Sequence, residues 1–225
     1  MATKYSLSVT SKAIQPGVFC VYTTCPDPKV VQLNLQSLAW FTKAANPKTI
    51  LTFEWDLDYS FVWCQTGKLN PGVRFRASQD FPANPQKPAL SKVFLDVANG
   101  AYQFTENAPA DKQPPAGTLG IYTGGNIPSY DVSAGIALGG SPALVTSVGP
   151  NLGYTFIPKI KYWIAFGSFV EGEVLDLNAM TVVQEIDFPT NVYDIGVTLN
   201  EDNTWTVGKT SLLRAQNDLI RSQIK

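Results

Sequence analysis

Residues 51–63 read LTFEWDLDYSFVW, and every odd position in this stretch is apolar or aromatic. A period of two over thirteen residues is typical of a β-strand that buries one face in the core. The opposite face is polar from Thr52 to Ser60 and becomes apolar at Val62 and Cys64. The stretch therefore predicts one long strand whose C-terminal end is buried on both faces.

Shorter alternating segments, separated by Gly, Pro and Asn, indicate further strands along the chain. Within residues 197–207, two such segments flank residues 200–203, which predicts a β-hairpin. Short strands at this turn density are typical of a β-sandwich, with a barrel as the alternative. We therefore predict an all-β, single-domain β-sandwich over residues 1–210. Residues 211–225 carry apolar side chains at helical spacing and are predicted to form an amphipathic C-terminal helix docked on the sandwich.

The composition indicates a folded protein and argues against two classes of partner. With 44% hydrophobic and only 16% charged residues, the chain of 225 residues can bury a sizeable core. Seventeen basic and eighteen acidic residues give a net charge of -1 with no run of like charges, so we expect neither nucleic acid nor a membrane as partner. The sequence begins without a continuous apolar segment and lacks a stretch of about 18 apolar residues, which predicts a cytoplasmic protein.

Histidine, the commonest general base and metal ligand, is absent from the sequence. Ser-His-Asp, Cys-His and His-containing zinc sites are therefore excluded. Cys20, Cys25 and Cys64 supply three thiolates, too few for a closed all-cysteine zinc site, and their odd number favours free thiols. We expect a protein that is not an enzyme, although catalysis by carboxylates, lysine or tyrosine stays open as an alternative.

The aromatic residues are numerous and suggest a ligand. Flat, rigid side chains with a polar edge suit a planar molecule, which they bind by stacking and by single hydrogen bonds. The alternative is that these side chains fill a large sandwich core. The candidate ligand-binding residues are Trp40, Trp55, Tyr59, Trp63, Tyr162 and Trp163.

Acidic residues alternate along the polar face of the predicted strand. Glu54, Asp56 and Asp58 would lie about 6.5 to 7 Å apart, so neighbouring pairs could share a hard cation such as calcium. A solvated strand face is the competing interpretation. Together with Glu171 and Glu173, the same carboxylates are the candidates for acid and base catalysis on sugars.

Four runs carry a resemblance to known proteins: SLAWF at 37–41, DYSFVW at 58–63, TGKLNPGV at 66–73 and YWIAFGSFVEGEV at 162–174. In these runs, in this order, the chain resembles the RhiA-like family, small proteins first noted in rhizosphere bacteria. That resemblance implies no activity and no site residues. In size and character the chain also resembles the pink chromoproteins of oyster mushrooms. This second resemblance implies a coloured protein that holds an indolone chromophore non-covalently and has no reaction of its own.

Three hypotheses follow from the sequence. The first is a non-catalytic binding protein that holds a planar, aromatic small molecule, such as an indole-derived pigment, in an aromatic-lined pocket. The second is a structural or interaction protein without a ligand, whose tail helix or strand edge forms a homo-oligomer. The third is a carboxylate-based enzyme that acts on sugars.

Overall fold

The computed structural model describes residues 3–25, 35–106, 108–109 and 111–209. These residues form seventeen β-strands and a single turn of 3-10 helix at Pro88–Leu90. The predicted all-β class is confirmed, whereas the helix predicted for 211–225 lies outside the described residues. The strands are β1 (Lys4–Ser11), β2 (Gly17–Thr24), β3 (Gln36–Ser37), β4 (Phe41–Ala45), β5 (Ile50–Asp56), β6 (Tyr59–Cys64), β7 (Gln79–Ala83), β8 (Lys92–Ala98), β9 (Ala101–Thr105), β10 (Leu119–Thr123), β11 (Ser133–Leu138), β12 (Ser141–Ser147), β13 (Gly153–Phe156), β14 (Lys161–Gly167), β15 (Val183–Ile186), β16 (Asp194–Leu199) and β17 (Trp205–Lys209).

The strands form four open sheets, with the orders β17-β16-β1-β5, β15-β14-β2-β4, β3-β12-β11-β6-β7 and β13-β10-β8-β9. Most neighbouring strands run antiparallel, but β1 pairs with β16 and β8 pairs with β10 in parallel. These open sheets confirm the sandwich and not the barrel. The predicted hairpin is confirmed by β16 and β17, which pair Val197 with Val207.

The two largest hydrophobic clusters each lie between two sheets. In the first cluster, Leu7 and Val197 from one sheet meet Phe19 and Ile164 from another. In the second cluster, β6 and β11 contribute side chains that meet those of β8 and β10. The described residues therefore contain two face-to-face pairs of sheets, in which apolar burial drives the packing.

The single long strand predicted for residues 51–63 is wrong. The chain leaves β5 after Asp56, passes through the two connecting residues 57–58 and enters β6 in a different sheet. The odd positions face a core on both sides of this connection because two connecting residues preserve the alternation. Trp55 thus packs in the first cluster and Phe61 in the second. The predicted cover on both faces is confirmed for β6, where every residue from Ser60 to the end of the strand is buried.

No helix within the described residues is long and apolar enough to cross a membrane.

Candidate functional site

Three of the six predicted aromatic ligand-binding residues meet in the first cluster. The ring centroids of Trp40 and Trp55 lie 5.3 Å apart, and Tyr162 lies 5.3 Å from Trp55 and 6.2 Å from Trp40. Each of the three side chains is at most 9% exposed. The Trp40 indole donates its hydrogen bond to the Leu138 carbonyl oxygen at 3.0 Å. Burial raises the pKa of Tyr162 above its ordinary value, so its phenol stays protonated. This trio forms core structure, packed ring against ring.

The remaining three predicted residues lie elsewhere. Trp63 belongs to the second cluster and donates its indole hydrogen bond to Gln79 at 2.8 Å. Trp163 lies with a third group of buried residues, stacks on Tyr22 and bonds Thr24 through its indole. Tyr59 packs against both large clusters. The structure therefore does not bring the six residues into one pocket, and the indole donors of three tryptophans are already occupied.

A surface groove of about 540 Å³ lies where β5 ends and β6 begins. It contains Trp55 and Tyr59 from the predicted aromatic set and all three carboxylates of the predicted cation site. We call it the acidic groove. The described residues that line it are Lys4, Glu54, Trp55, Asp56, Asp58, Tyr59, Ser60, Asp80, Pro82, Gly139 and Gly140.

The turn between β11 and β12 shapes one wall of the acidic groove. Gly139 and Gly140 both have positive φ, 51° and 80°, as a two-residue hairpin turn requires. The Gly139 amide donates to the Asp58 carbonyl oxygen at 3.0 Å, which joins this turn to the connection between β5 and β6. A Cβ atom at Gly139 would lie 3.1 Å from Trp55 Cβ, so the close approach and the positive φ both favour glycine.

The charge of the acidic groove is negative. Glu54 is paired with Lys4 at 3.0 Å, and Asp80 accepts a hydrogen bond from the Ser60 hydroxyl at 2.8 Å. Asp56 and Asp58 form no ion pair with any residue that the structure describes. One lysine therefore faces four carboxylates, and the surplus favours a cationic group in the groove.

The acidic residues of the predicted cation site form no three-ligand cluster in the described structure, and cation binding by a neighbouring pair stays a prediction. Within the described part of the chain, no three acidic or cysteine side chains are grouped so that they could hold a metal ion. Asp56 ends β5 and Asp58 lies in the connection to β6, so the three carboxylates do not belong to one strand. Glu171 and Glu173, the other carboxylates proposed from the sequence, accept hydrogen bonds from backbone amides of Thr42 and Val170.

Sequence reasoning missed several residues of the acidic groove. The Gly139-Gly140 pair stands between two apolar segments, a signal for a tight hairpin that the sequence displays openly. Asp80 gives no such signal, because only the pairing of β7 with β6 brings it beside Ser60.

The fold and the groove define a class: an all-β protein built from paired open sheets, with an open acidic groove at the junction of β5 and β6. The chain belongs to the RhiA family, whose profile matches residues 2–210. It is 38% identical over 211 residues to Protein RhiA of Rhizobium leguminosarum bv. viciae, an alignment that covers 91% of this chain and 86% of the relative. The family resemblance noted in the sequence is thereby confirmed. No solved structure matches the chain.

Proposed function

We propose that this protein is a non-catalytic binding protein that holds a planar, positively charged small molecule in the acidic groove. The observation that carries this proposal is the convergence of Tyr59, Asp56 and Asp58 on one cavity large enough for such a molecule. Each of these residues is also a site candidate from the sequence.

The walls of the acidic groove suit a flat ring. Tyr59 is partly buried and presents an aromatic side chain, which is held by a 3.3 Å hydrogen bond from its hydroxyl to the Pro158 carbonyl oxygen. Pro82, Gly139 and Gly140 line the same groove. Burial raises the pKa of Tyr59, so its hydroxyl keeps the proton that it donates to Pro158. These groups favour a ring that stacks and lies against them.

The carboxylates select the charge of the ligand. Asp56 is partly buried and Asp58 is exposed, so a basic nitrogen could approach both while its ring remains against Tyr59. A charge-assisted hydrogen bond to a carboxylate is stronger than a neutral one. An indole ring bearing a basic nitrogen would satisfy both requirements, which keeps an indole-derived pigment within the proposed ligand class.

The thiols support binding without catalysis. Cys20 and Cys64 are buried, and burial raises the pKa of each thiol above its ordinary value. A protonated, buried thiol is a poor nucleophile. This argues against catalysis by these two thiols, and we propose that the protein captures its ligand and leaves it unchanged.

The cysteines also bear on the compartment. Cys20, Cys25 and Cys64 are all free in the structure. Free thiols are typical of a reducing compartment. We propose on this ground that the protein functions in the cytoplasm.

The direct test is isothermal titration calorimetry with tryptamine, which combines an indole ring and an ammonium group. We expect a dissociation constant on the order of 0.1 to 1 mM for this minimal probe. The ring alone, as 3-methylindole, and the charge alone, as n-butylamine, should each bind at least about tenfold more weakly.

A charge variant and a matched control complete the test. The double variant Asp56→Asn/Asp58→Asn should weaken tryptamine binding by at least about tenfold. Glu201→Gln also removes an exposed carboxylate, but this residue lies in the β16–β17 turn, at the end of the sheet away from the acidic groove. It should leave the affinity for tryptamine unchanged. Equal binding of tryptamine by both variants would refute the proposal. A visible absorption band in protein from its natural source would identify the ligand as a pigment.

A further inference from the structure

A second cavity of about 540 Å³ lies away from the acidic groove, beside the loop that joins β6 to β7. Its described lining contains a lysine and no carboxylate, which separates it from the acidic groove. We call it the Lys68 pocket. The residues that line it are Gln36, Lys68, Leu69, Asn70, Tyr130 and Ser147.

From this geometry we infer that the Lys68 pocket binds a small aromatic carboxylate. Lys68 is exposed and forms neither an ion pair nor a hydrogen bond with any described residue. An ammonium group without a carboxylate partner, at the rim of a cavity, is suited to an anionic ligand. The side-chain amide of Asn70 lies in the same lining and supplies further hydrogen-bond donors.

The backbone that presents Lys68 is held in place before any ligand arrives. The hydroxyl groups of Ser133 and Ser147 donate to the Gly67 carbonyl oxygen at 3.0 and 2.6 Å. A Cβ atom at Gly67 would overlap the carbonyl oxygen of Tyr130, so the two loops are in direct contact. Such pre-organisation lowers the entropic cost of binding.

Tyr130 supplies a surface for the ring. Its side chain is 66% exposed, and its backbone has φ of 62°, in the left-handed region that bulky residues rarely adopt. The surrounding loop thus holds a strained backbone while its aromatic ring remains in solvent, a combination that often marks a functional site. Leu69, which is 8% exposed, gives the pocket an apolar surface against which a ring can lie.

The inference is independent of the proposed function, because the two cavities share no lining residue and differ in charge. The test is an amide NMR titration of the full chain with benzoate. We expect shifts at Gly67, Leu69 and Ser147 and a dissociation constant on the order of 1 mM. Benzamide, which has the same shape without the charge, and acetate, which lacks the ring, should give clearly smaller shifts.

Variants identify the groups that bind benzoate. Lys68→Gln should weaken binding by about tenfold, whereas Lys68→Arg, which keeps the charge, should bind within about twofold of the parent chain. The control Lys87→Gln removes another exposed lysine, next to the 3-10 turn, and should change nothing. Tyr130→Asn removes the ring with a residue that tolerates the left-handed backbone, and should weaken binding about fivefold while the fold is retained.

Unchanged benzoate affinity in Lys68→Gln would overturn the inference, as would equal shifts with benzoate and benzamide or shifts confined to other surfaces. The acidic-groove variant Asp56→Asn/Asp58→Asn should bind benzoate like the parent chain. A negative benzoate titration would therefore leave the tryptamine result unaffected. A negative tryptamine titration would likewise leave the benzoate result unaffected.

Discussion

Small residues on β11 decide how closely its neighbouring strand can approach. All six residues from Ser133 to Leu138 are buried. The abundance of Gly and Ala in this stretch indicates close backbone approach, and the structure confirms it at Gly135. A Cβ atom there would overlap the Leu144 carbonyl oxygen and lie 2.7 Å from Val145 Cα. The obstacle is backbone, which cannot rotate away as a side chain can.

Gly135→Ala should therefore lower the free energy of unfolding by about 2 to 3 kcal/mol, the cost of inserting an atom into a packed interior. Urea denaturation measures this difference. Gly149→Ala serves as the control, because its added Cβ would meet a flexible Leu152 methyl group at 3.3 Å. Equal stability of Gly135→Ala and the parent chain would show that β12 can move aside.

Individual site residues differ in how far the sequence could place them. The alternation around Glu54 and Asp56 predicts that their side chains share one polar face, and both do line the acidic groove. The same alternation predicts a buried side chain for both Trp55 and Trp63, yet the two residues lie in different hydrophobic clusters. Periodicity indicates which face of a strand is buried, but it does not indicate in which hydrophobic cluster that face packs.

At the scale of elements, the connections between strands determine the shape of the acidic groove. The connection at residues 57–58 leads into β6 in a new sheet, and the turn at Gly139 and Gly140 joins β11 to β12. No atom lies within 4 Å of a Cβ built on Gly140, so only its φ of 80° restricts the choice of residue. A substitution of Gly140 therefore tests the effect of backbone conformation without a change in side-chain packing.

Gly140→Asn should leave the stability within about 0.5 kcal/mol of the parent, because Asn tolerates the left-handed region. Gly140→Val should lower the free energy of unfolding by about 1 to 2 kcal/mol, since a β-branched residue does not. Thermal and urea unfolding of the two variants provide the comparison. If both variants unfold alike, the turn is not restricted by φ.

At the scale of the whole molecule, phenols and thiols with raised pKa values control the response to alkaline pH. Burial, followed by the charge of Cys20, raises the pKa of Tyr22 to about 12. A hydrogen bond to Asp131 is the main cause that raises the pKa of Tyr102 to about 12. Burial raises the pKa of the Cys20 thiol still more strongly. In the unfolded chain these groups ionise near their ordinary values of 9.0 and 10.0.

The folded protein keeps these protons at a pH where the unfolded chain loses them. Its stability should therefore be fully present below about pH 9 and should decline as the pH rises toward 12. Between about pH 6 and 8 the free energy of unfolding should be nearly constant, because there is no histidine to titrate. Urea unfolding at a series of pH values, with a reductant present, measures both regions. Tyr102→Phe should reduce the alkaline decline, and an unchanged slope would contradict the role of Asp131.

The sequence by itself determined the all-β class, the hairpin near the end of the described chain, family membership and the absence of histidine chemistry. Each of these depends on local alternation, turn residues, composition or sequence similarity. All four can be read from the sequence without knowing which strands pack together. Tertiary structure alone decided that residues 51–63 are two strands in different sheets. It also decided that Asp80 and the Gly139-Gly140 turn join the acidic groove, and that Lys68 and Tyr130 line one cavity. These features depend on how the sheets pack and on residues that lie far apart in the chain. Local periodicity does not encode either of them.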